Sequence, residues 1–293
     1  MSTPQPGILP DVPILARYLE FGLLPDADPA PVLRKLASRP VDESLVVGFG
    51  PGLVQKLGHG IAPLRPFPAL SGPGCEVPST QAYVWCWMRG GDRGHIMHLG
   101  RSVTQLLRPA FRRDRLADGF KYDTGRDLSG YEDGTENPED DAAVDAAVAR
   151  GLGPGLDGSS FVAVQKWLHD LDSFEGLTQD ERDNIIGRRL SDNAELDDAP
   201  ESAHVKRTAQ ESFEPEAFLL RRSMPWAEAR GEGLMFVAFG KSLDAFETQL
   251  RRMTGEEDGV TDALFRFSRP LTGGYYWCPP ARNGRLDLSA LGL

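Results

Sequence analysis

Three short stretches of the chain combine residue types from which a reactive site can be built. Gly130-Tyr-Glu-Asp133-Gly134-Thr135-Glu136-Asn137-Pro138 places a carboxylate between two glycines within five residues. A carboxylate can take up and return a proton. Glycine tolerates positive φ and lets backbone lie against a flat or bulky ligand. His204-Val-Lys-Arg207 offers an imidazole, the commonest metal ligand, with a guanidinium three residues on. Leu219-Leu220-Arg221-Arg222-Ser223-Met224-Pro225-Trp226 offers two arginines at the end of an apolar run that Pro225 turns aside. Each stretch also has a plain structural reading. Asp-Gly and Asn-Pro are ordinary turn dipeptides. A single histidine on a partly apolar stretch is usually packed, and strand-end arginines are usually surface charges. Only five histidines exist (His59, His95, His98, His169 and His204), so any imidazole chemistry must come from these.

The elements that must position these residues follow an alternating α+β pattern. Gly7–Leu23 is expected to be extended. Asp28 and Pro29 open a short helix through Leu33 and Leu36 that Pro40 stops. Ser44–Phe49 and Gln81–Met88 read as strands, the second with Tyr83, Trp85 and Trp87 on one face and Val84, Cys86 and Met88 on the other. Asp92 caps a helix with its stripe at Ile96, Leu99, Val103, Leu106 and Leu107, ended by Pro109. An extended piece at Gly119–Tyr122 completes a βαββαβ order, the ferredoxin-like unit. A Gly-, Asp- and Pro-rich loop over Gly125–Gly158 is too long for an idle connector and is read as both linker and functional loop. The second half repeats the order. Strands are expected at Ser160–Leu168, Ala217–Arg222, Leu234–Phe239, Leu264–Phe267 and Tyr275–Trp277. Helices are expected over Arg182–Arg189, behind the Thr178–Glu181 capping box, and after Ser242. The expected fold class is therefore α+β: two ferredoxin-like domains, residues 1–150 and 151–293, each an antiparallel sheet covered by helices.

Composition limits what such a fold can do. Lysine and arginine number 32 against 43 acidic residues, a net charge of −11 that argues against bulk electrostatic binding of nucleic acid or anionic lipid. The longest apolar runs, such as Leu234–Phe239, are far shorter than the roughly 20 residues that span a bilayer. The N-terminus has neither a basic nor an apolar signal region. Cys75, Cys86 and Cys278 are too few and too scattered for a disulfide framework or a thiolate metal site, so a cytoplasmic location is expected.

Order and spacing join the three stretches. The Gly-x-x-Asp-Gly element, a histidine about 70 residues later, and Arg-x-Ser-Met-Pro 17 residues beyond that resemble the dye-decolorising haem peroxidases, closest to their bacterial B class. The resemblance runs from Gly7-Ile-Leu-Pro to Thr272–Trp277. It implies the dimeric α/β-barrel-like superfamily, one haem b per chain, and a homo-oligomer, dimer or higher. It also implies an enzyme that reduces hydrogen peroxide through an oxoferryl intermediate and oxidises dyes, phenols or other one-electron donors. By the same resemblance His204 is the proximal iron ligand and Asp262 its carboxylate partner. Asp133 is the distal acid, and Arg221, rather than Arg222, the distal arginine. Ser223 stands where many B-class members have Asn. Arg207 is assigned to a haem propionate, the Gly134-Thr135-Glu136 turn to the cofactor's surroundings, and Phe236 and Phe246 to packing against the macrocycle. The alternative is a haem-handling protein, a carrier or deferrochelatase-like, without peroxidase turnover.

Rival sites are weaker. His95 and His98 lie three apart on the predicted helix with no third ligand nearby in sequence. His169, in Trp-Leu-His-Asp after a strand, is the main rival to His204 but lacks the downstream arginine spacing. The segment Leu286–Leu293 faintly resembles the tail that loads some family members into encapsulin shells. It follows Trp277 too closely for a tethered tail, so a packed C-terminus is expected.

Overall fold

The computed structural model describes residues 2–293. Its N-terminal half is built from β1 (Leu15–Leu23), α1 (Ala30–Ala37), β2 (Leu45–Phe49), β3 (Val84–Gly90), α2 (Arg93–Leu107) and β4 (Phe111–Phe120). These strands pair antiparallel in the order β4-β1-β3-β2. The C-terminal half contains β5 (Ser160–His169), α4 (Gln179–Ile186), α5 (His204–Arg207), β6 (Leu220–Arg221), β7 (Met224–Glu228), β8 (Gly231–Gly240), α6 (Asp244–Met253), β9 (Ser268–Pro270) and β10 (Gly274–Cys278); α3 (Asp140–Ala147) lies between the halves. Its main strands take the same order, β10-β5-β8-β7. Both are the ferredoxin-like arrangement expected from the sequence.

The two sheets close on each other. β10 meets β2 at Trp277 and Phe49, and β4 meets β7 at Gly119 and Trp226. The result is an eight-stranded ring with no free edge among its main strands. Alternation along the strands separates two cores. Trp85 and Trp87 point into the ring with Tyr18, Val237, Phe239 and Tyr276, and their rings stack at 6.0–6.4 Å. Val84, Cys86 and Met88 point outward under α2, whose Ile96, Val103 and Leu107 cover them. Asp92 fixes the start of α2 by accepting from His95 N at 2.7 Å. Thr178 and Glu181 form the expected capping box on α4, and Gly187 at φ 93° ends that helix.

Several expectations are corrected. β4 begins at Phe111, well before Gly119, because a charged stretch, Arg112–Arg115, forms a strand whose pairing to β1 supplies the stability. The Gly125–Gly158 loop contains α3. Leu264–Phe267 is not a strand: Asp262 accepts from Leu264 N at 2.8 Å and starts a 3-10 turn over Ala263–Arg266, so the strand is deferred to β9. The expected strand Ala217–Arg222 shrinks to the two residues of β6. The C-terminus is packed as expected, with Leu286, Leu288 and Leu291 in the helix-side core.

Candidate active site

On the outer face of the C-terminal sheet a cavity opens between β5, β8 and α6. Register decides which side chains face it. Arg221, Ala238 and Ala163 stand in one row across β6, β8 and β5, and Phe236 and Gln165 stand two residues along on the same face. The small alanines leave room beside the larger groups. Phe246, Gln249, Leu250 and Met253 of α6 form the facing wall, with Phe236 and Phe246 tilted at 5.7 Å.

One wall carries His204. It sits at the first residue of α5, and its Nδ1 lies 2.8 Å from Oδ2 of Asp262. Asp262 is fully buried and divides its oxygens, Oδ1 taking Leu264 N and Oδ2 the imidazole. Its own backbone N is tied to Met253 O at 2.8 Å. A carboxylate only accepts, so Nδ1 carries the proton and Nε2 is left with its lone pair. Among the described residues nothing is hydrogen-bonded to that nitrogen.

The same cavity is lined by Asp133 and Arg221, both half-buried. The Nε of Arg221 is buried without a partner, and no side chain is hydrogen-bonded to either group among the described residues. Asp133 is held by its backbone N to Gly125 O at 3.1 Å, and the following Gly134 turns the chain at φ 82°. Burial pushes the Asp133 carboxyl above the usual carboxylate range. The Arg221 charge pulls it back, and the neighbouring Asp127 pushes it up further.

Three further residues in or beside the cavity take part, of which the sequence pointed only to His169, as a rival to His204. Gln165 is 1 % exposed; its Oε1 accepts from Trp167 Nε1 at 3.3 Å. Indole N–H only donates, so the amide orientation is fixed and the buried Nε2 has no acceptor. His169 also lines the cavity, but both its nitrogens are engaged, Nδ1 with Ser268 Oγ at 2.7 Å and Nε2 with Asp127 Oδ1 at 3.0 Å. Asn137 binds the backbone of Arg221 through both ends of its amide. The period-two alternation of Gln165, Trp167 and His169 on one strand was the available signal for the first two. Asn137 gave none, since Asn-Pro reads as a turn.

Other expected cofactor contacts are placed elsewhere. Arg207 is buried but grips Asp258 in a fork at 2.7 Å and the Arg252 carbonyl, and it does not line the cavity. Thr135 and Glu136 border a separate acidic groove. There Thr135 accepts from Asn193 at 2.9 Å and Glu136 pairs with Arg188 at 2.6 Å. Gly134 likewise does not line the cavity; a Cβ there would meet Asn137 Nδ2 at 2.7 Å. Ser223 lies behind the cavity in a narrow crevice that shares Asp133 and Leu234 with it, its hydroxyl 3.4 Å from Val237 N. These groups adjoin the cavity-lining residues in the chain, but Arg207 lies on a helix and residues 134–136 in a loop, and their own partners turn them away from the cavity.

With this geometry in view, the family model described as "Dyp-type peroxidase, C-terminal" matches residues 124–283. A protein of Mycobacterium tuberculosis called dye-decolorizing peroxidase is 32% identical over 244 residues, spanning 80% of this chain and 73% of its own length. A putative dyp-type peroxidase of Shewanella oneidensis superposes with a TM-score of 0.87 at 26% identity, over 99% of this chain and 98% of that one. A DypB variant of Rhodococcus jostii RHA1, solved in complex with heme, gives 0.84 at 29% identity, over 94% and 96%.

Proposed function

Since the chain belongs to the dye-decolorising peroxidase family, we propose that its outer-sheet cavity is the haem site of a peroxidase and that His204, Asp262, Asp133 and Arg221 carry its chemistry. The residues present fit that group. The cavity is largely apolar and is lined by the imidazole of His204 and by Gln165 and Arg221, whose Nε2 and Nε are buried donors without acceptors. His204 would hold the iron, and Asp262 would orient the imidazole and lend it anionic character. Haem, when bound, supplies the metal at which peroxide is reduced and the electron capacity that one-electron donors then refill.

The protein's own part is proton and charge management. Reduction of hydrogen peroxide to water requires a proton to leave one oxygen and reach the other, so that water departs. Asp133, aimed into the cavity and unpaired with any side chain, takes that proton and returns it. Arg221 does not give up its proton and acts by charge, stabilising hydroperoxide as it forms. A carrier or iron-removing protein has no use for an acid and a cation lining the same cavity as the imidazole, and this pairing is what favours turnover. Dyes too large for the cavity would deliver electrons from outside it.

One observation carries the reading: an imidazole with one nitrogen tied to a buried carboxylate and the other free shares a cavity with Asp133 and Arg221. Mixing the purified haem-loaded protein with one equivalent of peroxide in a stopped-flow spectrometer tests it. A rapid shift of the Soret band that a reducing dye reverses is expected, and a static spectrum would leave only haem handling. We further propose a homo-oligomer, dimer or higher, checked by sedimentation, and a cytoplasmic location, supported by three cysteines that are all free and buried. No helix among the described residues is long and apolar enough to cross a membrane.

A further inference from the structure

β6, which carries Arg221, is only two residues long and pairs with the ring on one side, through Ala238 and Phe239 of β8. Arg222 N donates to Val237 O at 2.7 Å. Successive backbone groups alternate in direction along a strand, so the N–H and C=O of Arg221 face away from β8. Left alone the N–H would be unpaired inside the protein and the C=O would keep only Arg222 Nη1, which donates to it at 3.1 Å; an unpaired N–H costs free energy and lets a short strand shift. The side chain of Asn137 occupies that edge in place of another strand. Arg221 N donates to Asn137 Oδ1 at 2.8 Å, and Asn137 Nδ2 donates to Arg221 O at 3.1 Å. The two bonds leave the amide only one orientation, since a backbone N–H only donates and a carbonyl only accepts.

Asn137 belongs to the turn that carries Asp133. Its backbone N donates to Gly134 O at 2.9 Å, and Gly134 lacks the Cβ that would strike its amide. Gln210 closes the same seam one step away, donating to Glu136 O and accepting from Leu219 N, both at 2.8 Å, without touching the Arg221 peptide. The loop of the acid and the strand of the cation, 84 residues apart in the chain, are thus locked together at the peptide of Arg221 itself.

We propose that Asn137 is a positioning residue that fixes the Arg221 guanidinium relative to the Asp133 carboxylate. This rests on the reading above that Arg221 supplies positive charge at the haem's open side. A displacement of about 1 Å in such a group can cost up to about 100-fold in rate. Asn137→Ala is therefore expected to weaken cyanide binding to the ferric haem and to slow the peroxide step, each by about tenfold, a part of that range.

The test is a double-mutant cycle on the haem-loaded enzyme with Asn137→Ala, Arg221→Ala and both, read by cyanide affinity and by the peroxide rate. A residue that acts through Arg221 has no further effect once Arg221 is gone, so the double variant should match Arg221→Ala. Gln210→Ala is the control for a loosened seam and should leave cyanide affinity unchanged. If Asn137→Ala does not fold, Asn137→Asp, which keeps the acceptor and loses the donor, serves in its place. Unchanged cyanide affinity in the Asn137 variant, an equal loss in Gln210→Ala, or a full additive loss in the double variant overturns the inference while leaving the role of Arg221 standing. Unchanged affinity and rate in Arg221→Ala would instead overturn the role of Arg221, and this inference with it.

Discussion

Two histidines line one cavity, each hydrogen-bonded to a carboxylate, and they are built for different work. His204 spends Nδ1 on Asp262 and keeps Nε2 open. His169 spends both nitrogens, one on Ser268 and one on Asp127. A nitrogen already in a strong hydrogen bond has no lone pair to offer a metal without first breaking that bond. The wall around His204 therefore keeps a nitrogen available for the ligand role proposed above, and the wall around His169 is a closed polar brace between β5, β9 and the loop that leads to Asp133. Residue type does not separate the two; the count of satisfied nitrogens does.

The largest effect should come from exchanging their fates. His204→Ala is expected to abolish axial histidine ligation, seen as loss of the native Soret and charge-transfer bands on reconstitution with haem. His169→Ala should keep those bands and lose stability instead, by about 1–3 kcal/mol, because Asp127 and Ser268 are left without their partner. Equal loss of ligation in both variants would erase the distinction. Next in size is Asp262→Asn. The amide oxygen can still accept from Nδ1, but the negative charge is gone. Changes to such outer partners typically cost about 10–100-fold in metal affinity or activity. The iron–histidine stretching frequency should fall together with the peroxide rate. A frequency unmoved by the substitution would make Asp262 a cap for the following turn and nothing more.

Arg207 supplies a smaller contrast on the His204 side. Its guanidinium is committed to Asp258 and the Arg252 carbonyl. Arg207→Met should therefore lower thermal stability, by an amount on the order of 1–3 kcal/mol, while haem retention against apomyoglobin stays at the wild-type rate. Faster haem loss at unchanged stability would restore the propionate contact inferred from its place three residues after His204.

How much of this was legible follows from what each signal measures. Periodicity found the strands and helices whose one face is apolar, such as β3 and α2, since burial writes itself into spacing. It missed most of β4, where Arg113 and Arg115 pair with β1 opposite Phe21 and Glu20 and the strand is held by its neighbours rather than by its own apolar face. Ala263–Arg266 was misread because an apolar run does not reveal that Asp262 caps a turn. At the site, His204, Asp262, Asp133 and Arg221 were reached through a family-like spacing, and Phe236 and Phe246 by the same route. Arg207, Thr135 and Glu136 were drawn in by adjacency and Ser223 by its place in the family pattern, neither of which says anything about direction: neighbours on a strand face opposite ways, and a helix turns by about 100° per residue. Asn137 and Gln210 stayed invisible because an amide that replaces a missing strand has no sequence pattern.

The finest test sets the Arg221 side of the cavity against the His169–Asp127 wall through the carboxyl of Asp133. Burial raises its pKa above the ordinary value near ~4, and two charged neighbours act on it in opposite senses, Arg221 lowering it and Asp127 raising it. Asp127 holds its own charge because the bonds from His169 and Ser129 outweigh burial and keep it below the usual range. The form of Asp133 that accepts a proton is the ionised one. The peroxide step should thus be fully fast above the raised pKa and fall away as pH drops through it, with an acid limb above that of a free carboxylate. Removing Arg221 as Arg221→Leu raises the pKa further and should move the limb to higher pH, apart from the loss in maximal rate. Removing the charge on the other wall with Asp127→Asn lowers the pKa and should move the limb to lower pH, with little change at the plateau. Each displacement is expected to be about one pH unit or less, worth at most about 1.4 kcal/mol of interaction. Stopped-flow peroxide rates across the acid range read both variants. Limbs that shift in the same direction would mean that Asp133 does not sit between the fields of the two walls, and that the acid limb belongs to another group.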